Sequence, residues 1–445
     1  MLRIFDTLSG ELVEFRPLDG RMVKLYACGL TVYDRVHLGH ARTTVTVDIL
    51  VRLLKYLYGD VSYVRNITDV DDKINARARE ENLSPGELTS RVIGYCDEDM
   101  SYLGNVRPSY EPRVTEHLED IILMVEKLIA SGNAYVSNGH VFFAVNSYGD
   151  YGKLSRLDRE ELFNAVRIED NANKKNPLDF VLWKPSAATD DASIRFNSPW
   201  GVGRPGWHIE CSAMSQKYLG NDFDIHCGGM DLKFPHHENE IAQSRCASRD
   251  SNFAGIWFHI GFLMVNGEKM SKSLGNFVVV DELRRSGLAG SVVRLAVLKN
   301  HYRKPLNFSR SLISETESFL RGLHRSVSTV ETEYSVPEEI IDNLCDDFNI
   351  PKAMATLSEF SRMGELSKLK NAMIFFGICD ENLLKVKNSM DDRRKNEIED
   401  LIDARRRAKE EKDWKKSDAI RDRLRAEGII LKDGKDGTIW EFAEE

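Results

Sequence analysis

At 445 residues the chain has room for roughly three domains of ~150 residues each, and its 42% hydrophobic and 29% charged residues exclude a disordered or fibrous protein. A net charge of -9 excludes a general positive field that would attract nucleic acid, so any RNA contact must come from local patches. No uncharged apolar run approaches the ~18 to 20 residues of a membrane helix, and the amino terminus has no signal-peptide pattern. A cytoplasmic protein that binds no membrane is expected, with Cys28, Cys96, Cys211, Cys227, Cys246, Cys345 and Cys379 reduced.

Lys24 to Leu30 reads as a short apolar strand, followed by the loop Thr31 to Val36. A helix over Gly39 to Tyr58 is predicted from Val45, Ile49, Leu50, Leu53, Leu54 and Leu57, with Gly59 ending it. The β-branched and aromatic stretch Val61 to Thr68 completes a βαβ unit, whose ligands bind at the carboxyl ends of the strands, where Cys28 and His37 fall. Glu111 to Ser131 reads as an amphipathic helix, and Ala134 to Val136 with His140 to Val145 as a hairpin around Ser137-Asn138-Gly139. From there to about Pro199 the chain reads as a polar, irregular insertion. The sheet then resumes with a strand at Phe223 to His226, a turn at Gly228-Gly229 and a helix from Pro235 to Arg245. From Leu312 onwards the pattern is helical, with Asn349 near the start of a segment carrying Met354, Leu357 and Phe360 on one face.

The expected architecture is α/β. A Rossmann-type parallel-sheet catalytic domain occupies 1–119 and 201–250, with a connective insertion at 120–200. A further region follows at 251–310, then a helical domain at 311–390 and a small carboxyl-terminal region at 391–445.

Two motifs bear on chemistry. His37-Leu38-Gly39-His40 stands where strand gives way to helix, and a helix amino terminus offers free N–H groups and positive potential to phosphates. Lys269-Met270-Ser271-Lys272-Ser273, between Gly267 and Gly275, reads as a basic loop able to close over a triphosphate. Taken singly, each pattern also fits an ordinary polar loop.

In this order, more than two hundred residues apart, the two motifs resemble the paired nucleotide signatures of class I aminoacyl-tRNA synthetases. The first is usually His-Ile-Gly-His in that class, and Leu38 stands here for the isoleucine. The segments Tyr26-Ala27-Cys28-Gly29, Arg204 to Cys211 and Phe234 to Glu240 narrow the likeness to cysteinyl-tRNA synthetases, and it extends through Asp347-Phe348-Asn349 to Gly437-Thr438-Ile439-Trp440. The resemblance implies an ATP-dependent ligase that joins L-cysteine to tRNA-Cys through a cysteinyl adenylate, with 251–310 as the lysine-loop and tRNA stem-contact region, 311–390 as a helical anticodon-binding domain and 391–445 as an anticodon-recognition region; a monomer is expected. It implies one zinc ion held by Cys28, Cys211, His236 and Glu240. Thiolate, imidazole and carboxylate are all ligands that zinc accepts.

By the same resemblance His37, His40, Lys269 and Lys272 are catalytic, and with Gly39 they bind ATP, accompanied by Mg2+. Trp207 and Thr68 bind the substrate. Cys227 is read as a small loop residue outside the ligand set. His237, about 100° around a helix from His236, is expected to point elsewhere. The basic cluster Arg405 to Lys416 carries seven positive charges against Glu410, Glu411 and Asp413, and the resemblance assigns it to tRNA, with Trp440 as a stacking platform. Two rival readings are a cysteine ligase acting on an amino sugar, which would lack the carboxyl-terminal domain, and a zinc hydrolase, which leaves the lysine loop unexplained.

Overall fold

The computed structural model describes the chain except residues 21, 166–171, 188–189, 271–275, 381–399, 410–412, 427–428, 435–436 and 443–445. It contains two compact units, Met1–Cys379 and Asp380–Glu445.

The first unit is organised on a four-stranded, wholly parallel sheet. In spatial order its strands are Ala254–Ile260, Phe223–Gly229, Val23–Thr31 and Val61–Thr68. The predicted strand Val61 to Thr68 and the long helix are present, the helix running Leu38–Tyr58. That helix buries Leu38, Ala41, Val45, Ile49, Leu50, Leu53 and Leu54, the apolar face that its 3.6-residue spacing foretold. The outer strand Ala254–Ile260 lies beyond residue 250, in the stretch read as the lysine-loop region. The strand predicted at Phe223 to His226 continues to Gly229, because Gly228 and Gly229 pair with His259 and Ile260 instead of turning.

The predicted hairpin forms, and the segment beyond it, expected to be irregular, contributes the strand Phe180–Pro185. Ala134–Ser137, His140–Phe143, Phe180–Pro185 and Gly203–Pro205 form an antiparallel sheet. Val141, Phe143, Leu182 and Trp183 share a core with Ile121, Met124, Val125 and Leu128 of the helix Leu118–Ala130 and with Ile209 and Met214. This helix is shorter than the span predicted from Glu111, which opens instead with a single 3-10 turn at Val114–Glu116. Helices Asp72–Glu80 and Pro85–Tyr102, the second closed by a Ser84/Glu87 capping box, cover a region for which no element was predicted.

The helical segment comprises Arg310–Val327, Glu338–Cys345, Ile350–Met363 and Leu366–Phe375. Asn349 caps Ile350–Met363, accepting from the Lys352 N–H, as its side-chain chemistry favours. In the second unit, helix Trp414–Ala426 is followed by the antiparallel pair Ile429–Gly434 and Gly437–Phe442, and Leu424 packs with Leu401, Ile402, Ile420 and Leu431. No helix of the described residues is long and apolar enough to cross a membrane.

Candidate active site

Three elements converge at the carboxyl end of the sheet. The Val23–Thr31 strand is irregular in its pairing between Ala27 and Leu30, and this bulge carries Cys28. Gly29 makes the bulge possible: a Cβ there would lie 1.5 Å from the carbonyl oxygen of Asn66 on the neighbouring strand. Cys211 comes from the helix Trp207–Leu219. His236 lies in a π-helical turn, Lys233–His237, that runs into the helix Glu238–Ala247, where Glu240 stands four residues on and faces the same way.

These four side chains meet, their donor atoms all within 4.8 Å of one another. Sγ of Cys28 is 3.9 Å from Sγ of Cys211 and 3.4 Å from Oε1 of Glu240, and Nε2 of His236 is 3.0 Å from the same Oε1. A tetrahedral zinc ion with bonds of ~2.0 to 2.3 Å has edges of ~3.3 to 3.8 Å, so the donor set fits a metal in both spacing and chemistry. The electrostatics agree. Burial raises the Glu240 carboxyl, but the His226 and His236 imidazoles outweigh it and hold the group well below the usual carboxylate range. The Cys28 thiol holds Cys211 down to about 6, while burial, followed by that same contact, pushes Cys28 well up. A carboxylate and one thiolate therefore stand ready as anionic ligands.

His237 does not point elsewhere. His237 stands three residues before Glu240, a spacing that shares a helix face as four residues do, so it still reaches the site, and its Nε2 lies 3.3 Å from Cys28 Sγ. Gly228 admits that ring, since a Cβ there would meet the His237 imidazole at 2.5 Å. His237 joins Cys28, His226 and Glu240 in a second metal-competent set. Further imidazole contacts hold these donors in place. His226 Nε2 lies 2.9 Å from Glu240 Oε2, His208 Nδ1 lies 2.8 Å from His236 Nδ1, and His259 links His237 to Thr7 at 2.8 Å on either side. Sequence reasoning missed His208, His226 and His259, although His226 directly precedes the suspect Cys227. Cys227 itself is a buried strand residue flanked by Ala27 and Phe258, not a loop residue, and burial pushes its thiol up. It belongs to neither metal-competent set.

Trp207 is 41% exposed and stacks on His236 with ring centroids 4.2 Å apart, forming a wall beside the donors. Thr68 is buried at its strand's end and its hydroxyl donates to Glu210 at 3.1 Å.

In the nucleotide motif, His37 is the N-cap of Leu38–Tyr58, its Nδ1 accepting from the His40 N–H at 3.2 Å. The two imidazoles stack with centroids 3.5 Å apart, and burial, followed by His37, pushes His40 well below its ordinary value and keeps it neutral. Lys269 ends the hairpin formed by Leu263–Val265 and Glu268–Lys269, whose turn places Asn266 and Gly267 at φ 52 and 85. Its ammonium lies 5.0 Å from the centre of the Phe262 ring. Met270 comes back to the first motif, its Cε 3.4 Å from where a Cβ on Gly39 would stand. Lys272 lies outside the described residues, as does part of the Arg405 to Lys416 cluster; nothing is described of the Trp440 side chain.

The family model for the class I (C) tRNA synthetase catalytic domain matches residues 14–318, and that for the cysteinyl-tRNA ligase anticodon binding domain matches 393–440. A cysteine--tRNA ligase of Wolbachia pipientis from Culex pipiens is 47% identical over 453 residues, covering 98% of this chain and 97% of its own length. The chain belongs to the cysteine--tRNA ligase family. Another relative of that name, from Rhodospirillum rubrum, is 45% identical, with 99% and 100% of the two chains covered. The fold is shared more widely. Mycobacterium tuberculosis methionyl-tRNA synthetase in complex with methionyl-adenylate superposes with a TM-score of 0.58 at 14% identity, covering 82% of this chain and 93% of that one. Thermus thermophilus arginyl-tRNA synthetase gives 0.52 at 13% identity, with 84% of each covered.

Proposed function

We propose that this chain activates L-cysteine with ATP and transfers it to tRNA-Cys, selecting the thiol with a zinc ion held by Cys28, Cys211, His236 and Glu240. The observation that carries this reading is the convergence of those four donors beneath the Trp207 wall, at the carboxyl end of a parallel sheet whose next helix opens with His37 and His40. The chemistry zinc would supply there is that of a borderline-soft acid, which takes a thiolate in preference to an alcohol. Two reduced cysteines among the donors suit a reducing compartment such as the cytoplasm.

The protein's own groups position the reactants. His226 fixes Glu240 and His208 fixes His236, leaving Trp207 to exclude water beside the substrate side chain. The cysteine carboxylate attacks the α-phosphorus of ATP, and pyrophosphate leaves. Because Nδ1 of His37 accepts from the helix backbone, its proton sits on Nε2 and is available to donate to phosphate oxygens. His40, neutral, acts as a hydrogen-bonding group rather than a cation. Lys269 and Lys272 offset the charge on the departing pyrophosphate, a charge that Mg2+ would also screen when bound. The 2'-hydroxyl of the terminal tRNA adenosine then attacks the acyl carbon and AMP leaves. The anticodon-domain match at residues 393–440 supports tRNA, rather than an amino sugar, as the acceptor.

Pyrophosphate exchange into ATP, run with each standard amino acid and followed by charging of tRNA-Cys, tests the reading. Exchange that depends on cysteine alone is expected. Equal exchange with serine would reject the thiol-selecting role.

A further inference from the structure

Arg42 lies two residues past the His37–His40 motif and is 1% exposed. Its guanidinium reaches across the molecule to backbone carbonyls only. Nη1 donates to Phe262 O at 2.5 Å, and Nη2 donates to Lys304 O and, at longer range, to His301 O at 3.4 Å and Tyr302 O at 3.5 Å. Burial alone lowers it, to about 10, so at neutral pH it remains a buried cation, and among the described residues no carboxylate pairs with it. Such a group is expensive to keep unless its geometry is needed.

The carbonyls belong to the two segments that form the base of the lysine hairpin. Phe262 directly precedes Leu263–Val265, and Lys304 lies two residues before Leu306–Phe308, the strand that pairs with it. Phe262 O also accepts from Leu306 N at 3.0 Å, so Arg42 holds the point where the two segments join. Only a planar fork can donate to both at once; a lysine ammonium would reach one cluster or the other. Phe262 is also the residue whose ring lies beneath the Lys269 ammonium. The far side of the loop is tied to the same helix start: Leu38 N donates to Val278 O at 3.0 Å and Val280 N to Val36 O at 2.9 Å. Backbone bonds tie the segment after the lysine loop to this helix start, while the segment before it, paired to its own neighbours, is tied to the helix by the Arg42 side chain.

We propose that Arg42 is a positioning residue for adenylate formation, fixing the base of the lysine hairpin against the His37–His40 helix start and, through Phe262, setting where Lys269 stands. This rests on the reading of Lys269 as a phosphate-contacting group. The test uses the full-length, zinc-loaded protein with Arg42→Met, Arg42→Lys and Lys269→Ala singly, and with each Arg42 variant combined with Lys269→Ala. Arg42→Met should lower kcat/KM for ATP in pyrophosphate exchange by about ten- to hundredfold, the scale of a misplacement of roughly 1 Å. The KM for cysteine and the metal content should stay at wild-type values. Added to Lys269→Ala, either Arg42 variant should cost nothing further, because its effect passes through that lysine. Arg42→Lys keeps the charge and supports the same cycle if the methionine variant does not fold. Losses that multiply in the double variants, or a parallel loss of zinc and cysteine binding, would overturn the positioning role while leaving the lysine reading intact. Unchanged exchange in Lys269→Ala alone would overturn both.

Discussion

The proposed thiol-binding and nucleotide-binding parts of the site are held in opposite ways. Cys211, His236 and Glu240 are buried, and each contacts at least one further polar side chain: Asn66 beside Cys211, His208 beside His236, His226 beside Glu240. Glu268 and Lys269 are exposed on a two-residue strand, and their placement comes from backbone bonds and from Arg42 beneath them. The difference follows from the tasks. Shape alone separates cysteine from serine by only ~1 to 3 kcal/mol, so the discriminating donors must be preorganised and dry. A triphosphate must enter and pyrophosphate must leave, so the charges that meet it need to move on a fixed base.

The largest effect expected from breaking this contrast is at the buried side. Cys211→Ser should lose the metal and, with it, cysteine-dependent exchange, exceeding the ~10- to 100-fold cost of losing an outer hydrogen-bond partner. Metal analysis alongside exchange checks this, and a metal-replete variant with normal exchange would break the assignment. On the exposed side, Lys269→Ala should slow exchange by ~10² to 10³, or about 3 to 4 kcal/mol, with the KM for cysteine and the metal content unchanged. A rise in the KM for cysteine matching the fall in rate would show that the two parts are not separable.

His226→Asn sharpens the comparison from the outside. It removes the contact on Glu240 Oε2 but no proposed ligand, so zinc affinity, read by competition with a chelator, should weaken by ~10- to 100-fold while exchange at saturating zinc stays near normal. Smallest on exchange is removal of the second unit. A chain ending at Cys379 follows the boundary between the two compact units and should form adenylate as the whole protein does yet charge tRNA-Cys poorly. Normal charging by that fragment would remove anticodon reading from the second unit.

The parallel sheet was legible because its first βαβ unit carries strong periodicities, and Val61–Thr68 appears residue for residue. Of the antiparallel insertion only the hairpin was legible, through its Ser137-Asn138-Gly139 turn; Phe180–Pro185 and Gly203–Pro205 were not, because strands of three to six residues between polar connections such as the one from Asn146 to Leu178 are too short for a period of two to show. Cys28, Cys211, His236 and Glu240 were legible only through family resemblance, since they come from a bulge, a helix, a π turn and a second helix with no common spacing. His237 went wrong for a local reason: a rotation of about 100° was taken to carry it away from the site, whereas three residues before Glu240 it still faces the same donors. Arg42 gave no signal, because an arginine on a predicted helix reads as a solvated surface group until the distant carbonyls of Phe262 and Lys304 are seen above it.

The central claim is that discrimination between cysteine and serine resides in the metal held by the four buried donors. Its most direct test follows the ratio of cysteine- to serine-dependent pyrophosphate exchange in one preparation while zinc is withdrawn by a chelator and then restored, with metal content measured at each step. The ratio should collapse in proportion to zinc lost and recover as it returns. A metal-free protein that still activates cysteine in strong preference to serine would contradict the account.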